Sequence, residues 1–171
     1  QRTGVDRTGR IIDVGGGAST LVDDLRANAF QHITVLDISA AALQQAQQRL
    51  GANAAHITWV EGDITHMTLP YHFYDVWHDR AVFHFLTQEA DRQRYIAAVR
   101  HAVTPGGHVI VATLALDGPT MCSGLEVMRY DAAQLHAAFG NEFVLLASDI
   151  ETHHTPFGTE QQFVYCYCRK Q

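Results

Sequence analysis

The sequence of 171 residues has few cysteines, few cations and no long apolar run. Its three cysteines, Cys122, Cys166 and Cys168, are an odd number in a chain without a recognisable signal peptide, so we expect a reduced, cytoplasmic setting. No apolar stretch approaches the roughly 18 residues of a membrane span, and no membrane partner is expected. The 12 Lys and Arg are scattered and the net charge is −6, which argues against nucleic acid as a partner.

What the sequence does contain is enough apolar material for one folded domain. The length is typical of a single domain, and 47% of the residues are hydrophobic. Residues 1–9 are polar and lack apolar periodicity, whereas a buried strand begins at Arg10. We therefore expect a flexible N-terminal remnant over 1–9, a single domain over 10–171, and a missing or disordered segment upstream.

Strand and helix patterns alternate along the chain. Short runs rich in Val, Ile and Leu, with little polar alternation, predict parallel strands at 10–14, 32–38, 56–64, 74–79 and 108–115. Helical patterns follow at 19–29, at 39–50 with Ser39 as N-cap and Gly51 as stop, after Thr87 as a possible cap, and at 131–140. Two further strands, 143–150 and 161–168, are joined by the loop ETHHTPFG. The alternation predicts an α/β fold with a doubly wound sheet of seven strands.

Three consecutive glycines, Gly15, Gly16 and Gly17, separate the first strand from the first helix. A glycine-rich turn at this place lets the backbone approach a ligand, with the helix N-terminus pointing at it. The third glycine of the dinucleotide fingerprint is absent, so a pyrophosphate site is poorly supported. Asp13, at the tip of the first strand, needs a cation or donors, and Asp37 lies where a carboxylate accepts ribose hydroxyls. Together these residues indicate an aminoacyl nucleoside without phosphates.

These motifs resemble, in order along the chain, those of the class I S-adenosylmethionine-dependent methyltransferases. DVGGGAS resembles the family's glycine loop, with Ser19 where a third glycine is usual, and LDIS, EGDI, YDVWHDRAVFHFL and TPGGHVIVA resemble the motifs that follow. The resemblance implies a Rossmann-like sheet of order 3-2-1-4-5-7-6 with strand 7 antiparallel, and S-adenosylmethionine as cofactor. WHDRAVFHFL and the compact tail are similar to small bacterial enzymes of the thiopurine-methyltransferase-like type. Such enzymes usually carry an N-terminal lid, and the ten polar residues here imply either that the lid is missing or that the site is open.

The resemblance also assigns residues to the cofactor. Asp37 is implied at the ribose, Ile38 on the adenine, and Asp63 near the adenine amine. The full implied set is Asp13, Gly15, Gly16, Gly17, Asp37, Ile38, Gly62, Asp63, Ile64, His78 and Asp79. Each has a plainer structural interpretation: the glycines could serve only packing, Asp63 could form a turn, and Asp79 with Arg80 could be a surface ion pair.

The acceptor pocket is predicted from topology. Segments that follow parallel strands emerge at one edge of the sheet, so Asp79, Arg80 and His84 should meet Met121, Cys122 and His153 there. Histidine titrates near neutrality, so His84 and His153, or His154, are candidates for removing the acceptor's proton, and Arg80 could orient an anionic acceptor. His78 and His84 could instead pack in the core, and Cys122 could simply fill a loop. No metal site is expected, because Cys166 and Cys168 share one strand face without a second pair of ligands.

The function predicted is transfer of a methyl group from S-adenosylmethionine to a small molecule. A protein side chain as acceptor, a binding module without turnover and, more remotely, a nicotinamide oxidoreductase stay open. The sequence does not specify the oligomeric state.

Overall fold

The computed structural model describes residues 3–154, 158 and 160–171. Within these residues four α-helices and nine strands form in the alternating order that the sequence predicts. The strands are β1 Arg10–Val14, β2 His32–Asp37, β3 Ile57–Glu61, β4 Tyr74–Arg80, β5 Val103–Leu114, β6 Met121–Cys122, β7 Leu125–Glu126, β8 Phe143–His154 and β9 Glu160–Lys170. The helices are α1 Leu21–Ala27, α2 Ala40–Leu50, α3 Glu89–Ala102 and α4 Ala132–Phe139. Short 3₁₀ helices span Gly51–His56 and Phe83–Phe85.

Seven of the strands form one sheet in the order β3-β2-β1-β4-β5-β9-β8. Strands β3, β2, β1, β4 and β5 are mutually parallel, while β9 is antiparallel to both β5 and β8. The two-residue strands β6 and β7 form a separate hairpin. With the hairpin set aside, the order is 3-2-1-4-5-7-6 with strand 7 antiparallel, and the predicted fold is confirmed.

Helices pack on both faces of the sheet because the side chains of its strands alternate in direction. On one face, Trp77 and Val14 belong to a large core that includes Tyr95 and Ile96 of α3 and Leu135 of α4. On the other face, β2 and β3 pack against Val22 of α1 and Leu43 of α2. This arrangement leaves the carboxyl ends of β1, β2, β3 and β4 together at one edge, where ligands bind in open α/β sheets.

The predicted helix caps agree with the structure at two of three positions. Ser39 accepts a hydrogen bond from Ala42 N, and Gly51 follows α2. The prediction for Thr87 is wrong, because α3 begins at Glu89 with Gln88 in the cap position. At the start of the helix predicted over 131–140, Asp131 forms a capping box with Gln134.

Other boundaries differ where a strand passes through residues typical of turns. The TPGG segment does not end before β5 but lies inside it, looped out between the paired positions Tyr74↔Val103 and Val76↔His108. Strand β8 runs four residues beyond the predicted end and includes His153 and His154. Of the predicted loop ETHHTPFG, Thr155, Pro156 and Phe157 lie outside the described residues.

The N-terminal segment contacts the rest of the domain through Arg7. Within the N-terminal segment, Gln31 N donates to Arg7 O, and the Arg7 guanidinium lies over the Phe30 ring. Whether residues 1–9 are flexible stays a prediction.

Among the described residues, no helix is both long and apolar enough to cross a membrane.

Candidate active site

A cavity of about 480 Å³ opens at the carboxyl edge of β1, β2, β3 and β4. Six of the residues predicted to bind the cofactor line it: Gly15, Asp37, Ile38, Gly62, Asp63 and Ile64. Its other wall comes from the segment after β4, the start of α3 and the β6–β7 hairpin, through Ala81, Val82, Phe85, Leu86, Asp91 and Leu125. The cavity thus has a side with carboxylates and a largely apolar side.

The three glycines of the loop are needed first by the packing of the protein itself. A Cβ on Gly15, whose φ is +73°, would lie 2.1 Å from Val82 Cγ2. A Cβ on Gly16 would lie 2.3 Å from Asp13 Oδ2, and one on Gly17 would lie 2.8 Å from Asp37 Oδ2. Of the three, Gly15 lines the cavity. The glycines therefore let the loop close tightly over Val82 and two carboxylates, so packing accounts for all three positions, and Gly15 faces the cavity as well.

Asp13 lies beneath this loop and is 2% exposed. Its Oδ1 is 2.7 Å from His78 Nδ1 on the neighbouring strand, which follows from the register Asp13↔His78. Among the described residues, Asp13 Oδ2 has no hydrogen-bond partner. A buried carboxylate oxygen without a donor is costly, so the site fits a ligand that brings one. Neither Asp13 nor His78 is among the residues that line the cavity.

Asp37 joins the end of β2 to two neighbouring backbone segments. Its Oδ2 accepts from Gly17 N at 2.9 Å, and its Oδ1 accepts from Ser39 N at 2.8 Å. Each carboxylate oxygen has a further lone pair, and the side chain faces the cavity. The same residue can therefore hold the glycine loop in place and accept hydroxyl groups from a ligand.

Asp63 and Ile38 also line the cavity. Burial raises the pKa of Asp63, but hydrogen bonds from Thr65 and His66 outweigh it, and the net pKa lies below the ordinary value. The carboxylate is thus kept ionised and able to accept from an amine. Ile38 is 72% exposed although it is a large apolar residue, as expected for a side chain that packs on a ligand.

Asp79 was predicted at the cofactor and in the acceptor pocket, and the structure places it in the core instead. It is fully buried and accepts from Val82 N, Phe83 N and the Tyr95 hydroxyl at 2.8, 3.0 and 2.5 Å. Burial raises its pKa to about 6, against the lowering effect of these donors. Asp79 therefore fixes the turn that carries Val82 to the cavity and does not itself face it.

The three predicted catalytic residues lie around one aromatic ring, that of Phe163. The Arg80 guanidinium carbon is 4.3 Å from the ring centroid, and the rings of His84 and His153 lie at 6.3 and 6.2 Å. Cys122 also packs against the cluster that contains Phe163. Residues of β4, of the 3₁₀ helix that follows it, of β6 and of β8 therefore lie close together around Phe163, and whether they form the acceptor pocket stays a prediction.

None of the six residues predicted for the acceptor pocket lines the cavity. Arg80 Nε donates to the Tyr165 hydroxyl at 3.0 Å, and Arg80 Nη2 lies 3.4 Å from Glu151 Oε1. His84 is fully buried, and burial followed by the charge of Arg80 lowers its pKa to about 4, so its ring is neutral near pH 7. Ala81 and Phe85 line the cavity and also pack against the Phe163 cluster, so they lie between the two. Catalytic roles for Arg80, His84 and His153 stay predictions.

Sequence reasoning missed the residues that form the apolar wall. The motif YDVWHDRAVFHFL contains Val82, Phe85 and Leu86, but only its ionisable residues were predicted to contact a ligand. Leu125 lies in a hairpin whose two strands have two residues each, which is too short for an alternating hydrophobic pattern to predict them. The turn SG, with φ of +51° at Ser123 and +80° at Gly124, is the local signal that indicates such a hairpin.

The comparisons with known proteins agree with this geometry. Residues 11–107 match the model of a family described as "Methyltransferase domain". No curated protein matches the chain. Among solved structures, the chain is similar to an S-adenosylmethionine-dependent methyltransferase from Methanosarcina mazei, with 12% identity, 97% of this chain and 94% of that chain covered, and a TM-score of 0.77.

Two rhizobial structures are similar as well. One is an S-adenosylmethionine-dependent methyltransferase from Mesorhizobium loti, with 16% identity, 99% and 95% coverage of the two chains, and a TM-score of 0.70. The other is the N-methyltransferase NodS from Bradyrhizobium japonicum in complex with S-adenosylhomocysteine, with 16% identity, 95% and 78% coverage, and a TM-score of 0.74. At these identities the likeness shows the fold.

The family match covers more than half of the chain, and the chain therefore belongs to the methyltransferase domain family. It is a class I S-adenosylmethionine-dependent methyltransferase, EC 2.1.1. Its own residues fit the cofactor, because a cavity of adequate size carries Asp37 and Asp63 as acceptors and Ile38 as an exposed apolar surface.

Proposed function

We propose that this enzyme methylates a small-molecule acceptor, and that it binds the cofactor along the carboxylate side of the cavity. The observation that carries the proposal is the continuity of one cavity, of about 480 Å³, from Asp63 and Asp37 to the apolar wall at Phe85 and Leu125. In this proposal Asp37 accepts the ribose hydroxyls, Asp63 accepts the adenine amine, and Ile38 packs on the adenine ring. The unpartnered Oδ2 of Asp13 is offered to the ammonium group, directly or through water.

The chemistry asks little of the protein beyond position. The cofactor, when bound, supplies an activated methyl group on a sulfonium whose departure leaves a neutral thioether. The residues of this chain align the acceptor and exclude water, which is the main contribution to an in-line displacement. An acceptor that carries a proton must also lose it. Within the described part of the cavity lining, His66 is the histidine present, and it is exposed and hydrogen-bonded to Asp63.

Two other assignments are kept as competing hypotheses. A protein side chain as acceptor needs a groove that admits a peptide, and a module that binds the cofactor without turnover needs no acceptor site. The finer likeness to thiopurine-methyltransferase-like enzymes rests on the motif WHDRAVFHFL and the compact tail. The size and the apolar wall of the cavity favour a small molecule over a peptide.

Binding and turnover experiments separate these hypotheses. Isothermal titration with S-adenosylmethionine, S-adenosylhomocysteine and NAD should give saturable binding of the first two and none of NAD. A panel of small thiols, amines and phenols, read out by release of S-adenosylhomocysteine, should then identify acceptors. Absence of binding to either sulfur ligand by the folded protein would refute the cofactor site, and binding without turnover on any acceptor class would favour the module.

A further inference from the structure

We propose that the β6–β7 hairpin forms the acceptor-binding lip of the cavity, and that Leu125 selects an uncharged acceptor with an apolar ring or chain. This inference rests on the proposed function, since it concerns the other end of the same cavity. It assigns the substrate class by the chemistry of the wall that the acceptor must touch.

The position of Leu125 carries the first step. Leu125 lines the cavity, yet it is 61% exposed, so most of its side chain has no protein neighbour. An apolar side chain held over a cavity in this way contributes little to folding and is available to a ligand. Phe85 and Leu86, which also line the cavity, are the apolar partners that such a ligand would contact together with Leu125.

The hairpin is held firmly at its base and free at its tip. Arg129 Nη1 donates to Leu116 O and Gly118 O, at 2.8 and 3.0 Å, and Met128 N donates to His84 O at 2.7 Å. Beyond these contacts the hairpin turns at Ser123 and Gly124, directly before Leu125. A fixed base with a protruding apolar residue is suited to define the shape of an entrance.

The charges around the cavity decide what kind of apolar ligand fits. The described lining residues include three carboxylates, Asp37, Asp63 and Asp91, and no Lys or Arg. The arginines around the cavity are engaged by other groups. Arg94 pairs with the lining residue Asp91, and Arg92 pairs with Glu89 and donates to Leu86 O. Arg80 is engaged by Tyr165 and Glu151 behind the wall formed by Ala81 and Phe85. An acceptor that carries a carboxylate or sulfonate would therefore meet repulsion without a compensating cation. The cavity therefore does not favour the predicted role of Arg80 in orienting an anionic acceptor.

The test uses two ring compounds that differ in charge, 2-naphthol and 2-naphthoate, titrated into the protein saturated with S-adenosylhomocysteine. Leucine methyl groups are ¹³C-labelled, and the Leu125 signals are assigned by their loss in Leu125→Ala. We expect 2-naphthol to shift the Leu125 signals saturably at pH 7 and to bind at least about tenfold more tightly than 2-naphthoate. Leu125→Asp should weaken 2-naphthol by about tenfold or more, whereas Leu125→Phe should retain it.

The matched control is Leu146→Asp, because Leu146 is also an exposed leucine on a strand but does not line the cavity. It should leave the affinity for 2-naphthol unchanged. Equal affinity for 2-naphthoate would overturn the proposed substrate class, and an unchanged affinity in Leu125→Asp would overturn the proposed lip. If neither compound bound, both the proposed lip and the proposed substrate class would be overturned. The initial saturation with S-adenosylhomocysteine, followed by calorimetry, reports separately on the cofactor site.

Discussion

Replacement of Asp37 should weaken cofactor binding in addition to weakening the fold. The carboxylate accepts from Gly17 N and Ser39 N, so Asp37→Ala removes two hydrogen bonds to a charged acceptor inside the protein. Removal of one partner from such bonds costs about 1–3 kcal/mol in total stability where the donors can reach water, as at this half-buried position. The proposed bonds to the ribose hydroxyls are lost in addition, and only in the complex.

The magnitude for binding follows from those ligand bonds. Hydrogen bonds to a charged group contribute about 1.5–3 kcal/mol, which corresponds to a loss of roughly 10- to 100-fold in affinity. Asp37→Asn keeps one acceptor oxygen, so its affinity for S-adenosylhomocysteine should lie between those of the wild type and Asp37→Ala. Isothermal titration at a temperature where circular dichroism shows a folded variant gives the dissociation constants, and chemical denaturation gives the stability.

The control is Asp131→Ala, because Asp131 also accepts a backbone N–H at a helix start, from Gln134 at 2.7 Å, and does not line the cofactor cavity. It should lower the free energy of unfolding by about 1 kcal/mol and leave the dissociation constant unchanged. If folded Asp37→Ala bound S-adenosylhomocysteine as tightly as the wild type, the ribose assignment would be wrong.

Three further predictions concern stability. The low pKa of His84, about 4 against 6.5 when unfolded, means that protons at this site favour the unfolded chain, so its contribution to the free energy of unfolding should fall by up to about 3 kcal/mol from pH 6.5 to pH 4. The raised pKa of Asp79, about 6, acts in the opposite direction over the same range. His84→Gln should remove the His84 contribution and make the protein less sensitive to acid in urea titrations. Gly16→Ala should cost roughly 2 kcal/mol, because the new Cβ meets Asp13 Oδ2, and part of this loss should return in the double variant with Asp13→Ala. Tyr95→Phe should destabilise the protein by about 1–3 kcal/mol, since Asp79 loses a buried donor, as measured by thermal or chemical unfolding.

For each of these three predictions, one result would contradict the reasoning. An unchanged acid slope in His84→Gln would mean that another group controls the acid lability. Strict additivity of Gly16→Ala and Asp13→Ala would deny the steric conflict between them. A Tyr95→Phe variant as stable as the wild type would show that the Tyr95 hydroxyl contributes nothing to the buried position of Asp79.

The sequence predicts most of the fold because its signals are local and repeated. The runs at β1 and β2 are apolar on both faces, and Ser39 and Gly51 bound α2 with side-chain and backbone chemistry that needs no tertiary context. The order of the strands then follows from the family's topology. The TPGG bulge in β5 is different, because Val103 pairs with Tyr74 before it and His108 pairs with Val76 after it, so the turn is enclosed within the strand.

The candidate site, like the fold, could be predicted only in part from the sequence. Asp37, Ile38 and Asp63 line the cavity as predicted, because each stands at or just beyond the carboxyl end of a strand, a position that sequence defines. Asp79 and His84 do not, although both follow the same rule of position. Whether an ionisable side chain points to a cavity or into the core depends on the alternation of the strand and on the turn after it. For these residues, the hydrogen bonds of Asp79 to Val82 and Phe83 decide the direction.

The position of β9 has a consequence for how the chain is made. Strand β9 lies inside the sheet, between β5 on one side and β8 on the other. Among the described residues, β9 is the strand that joins β8 to the sheet, so β8 must wait for residues 160–170 before it can be incorporated. During synthesis from the N-terminus, the parallel strands β1 to β5 can therefore assemble first, whereas the antiparallel end of the sheet can close only once β9 has emerged from the ribosome.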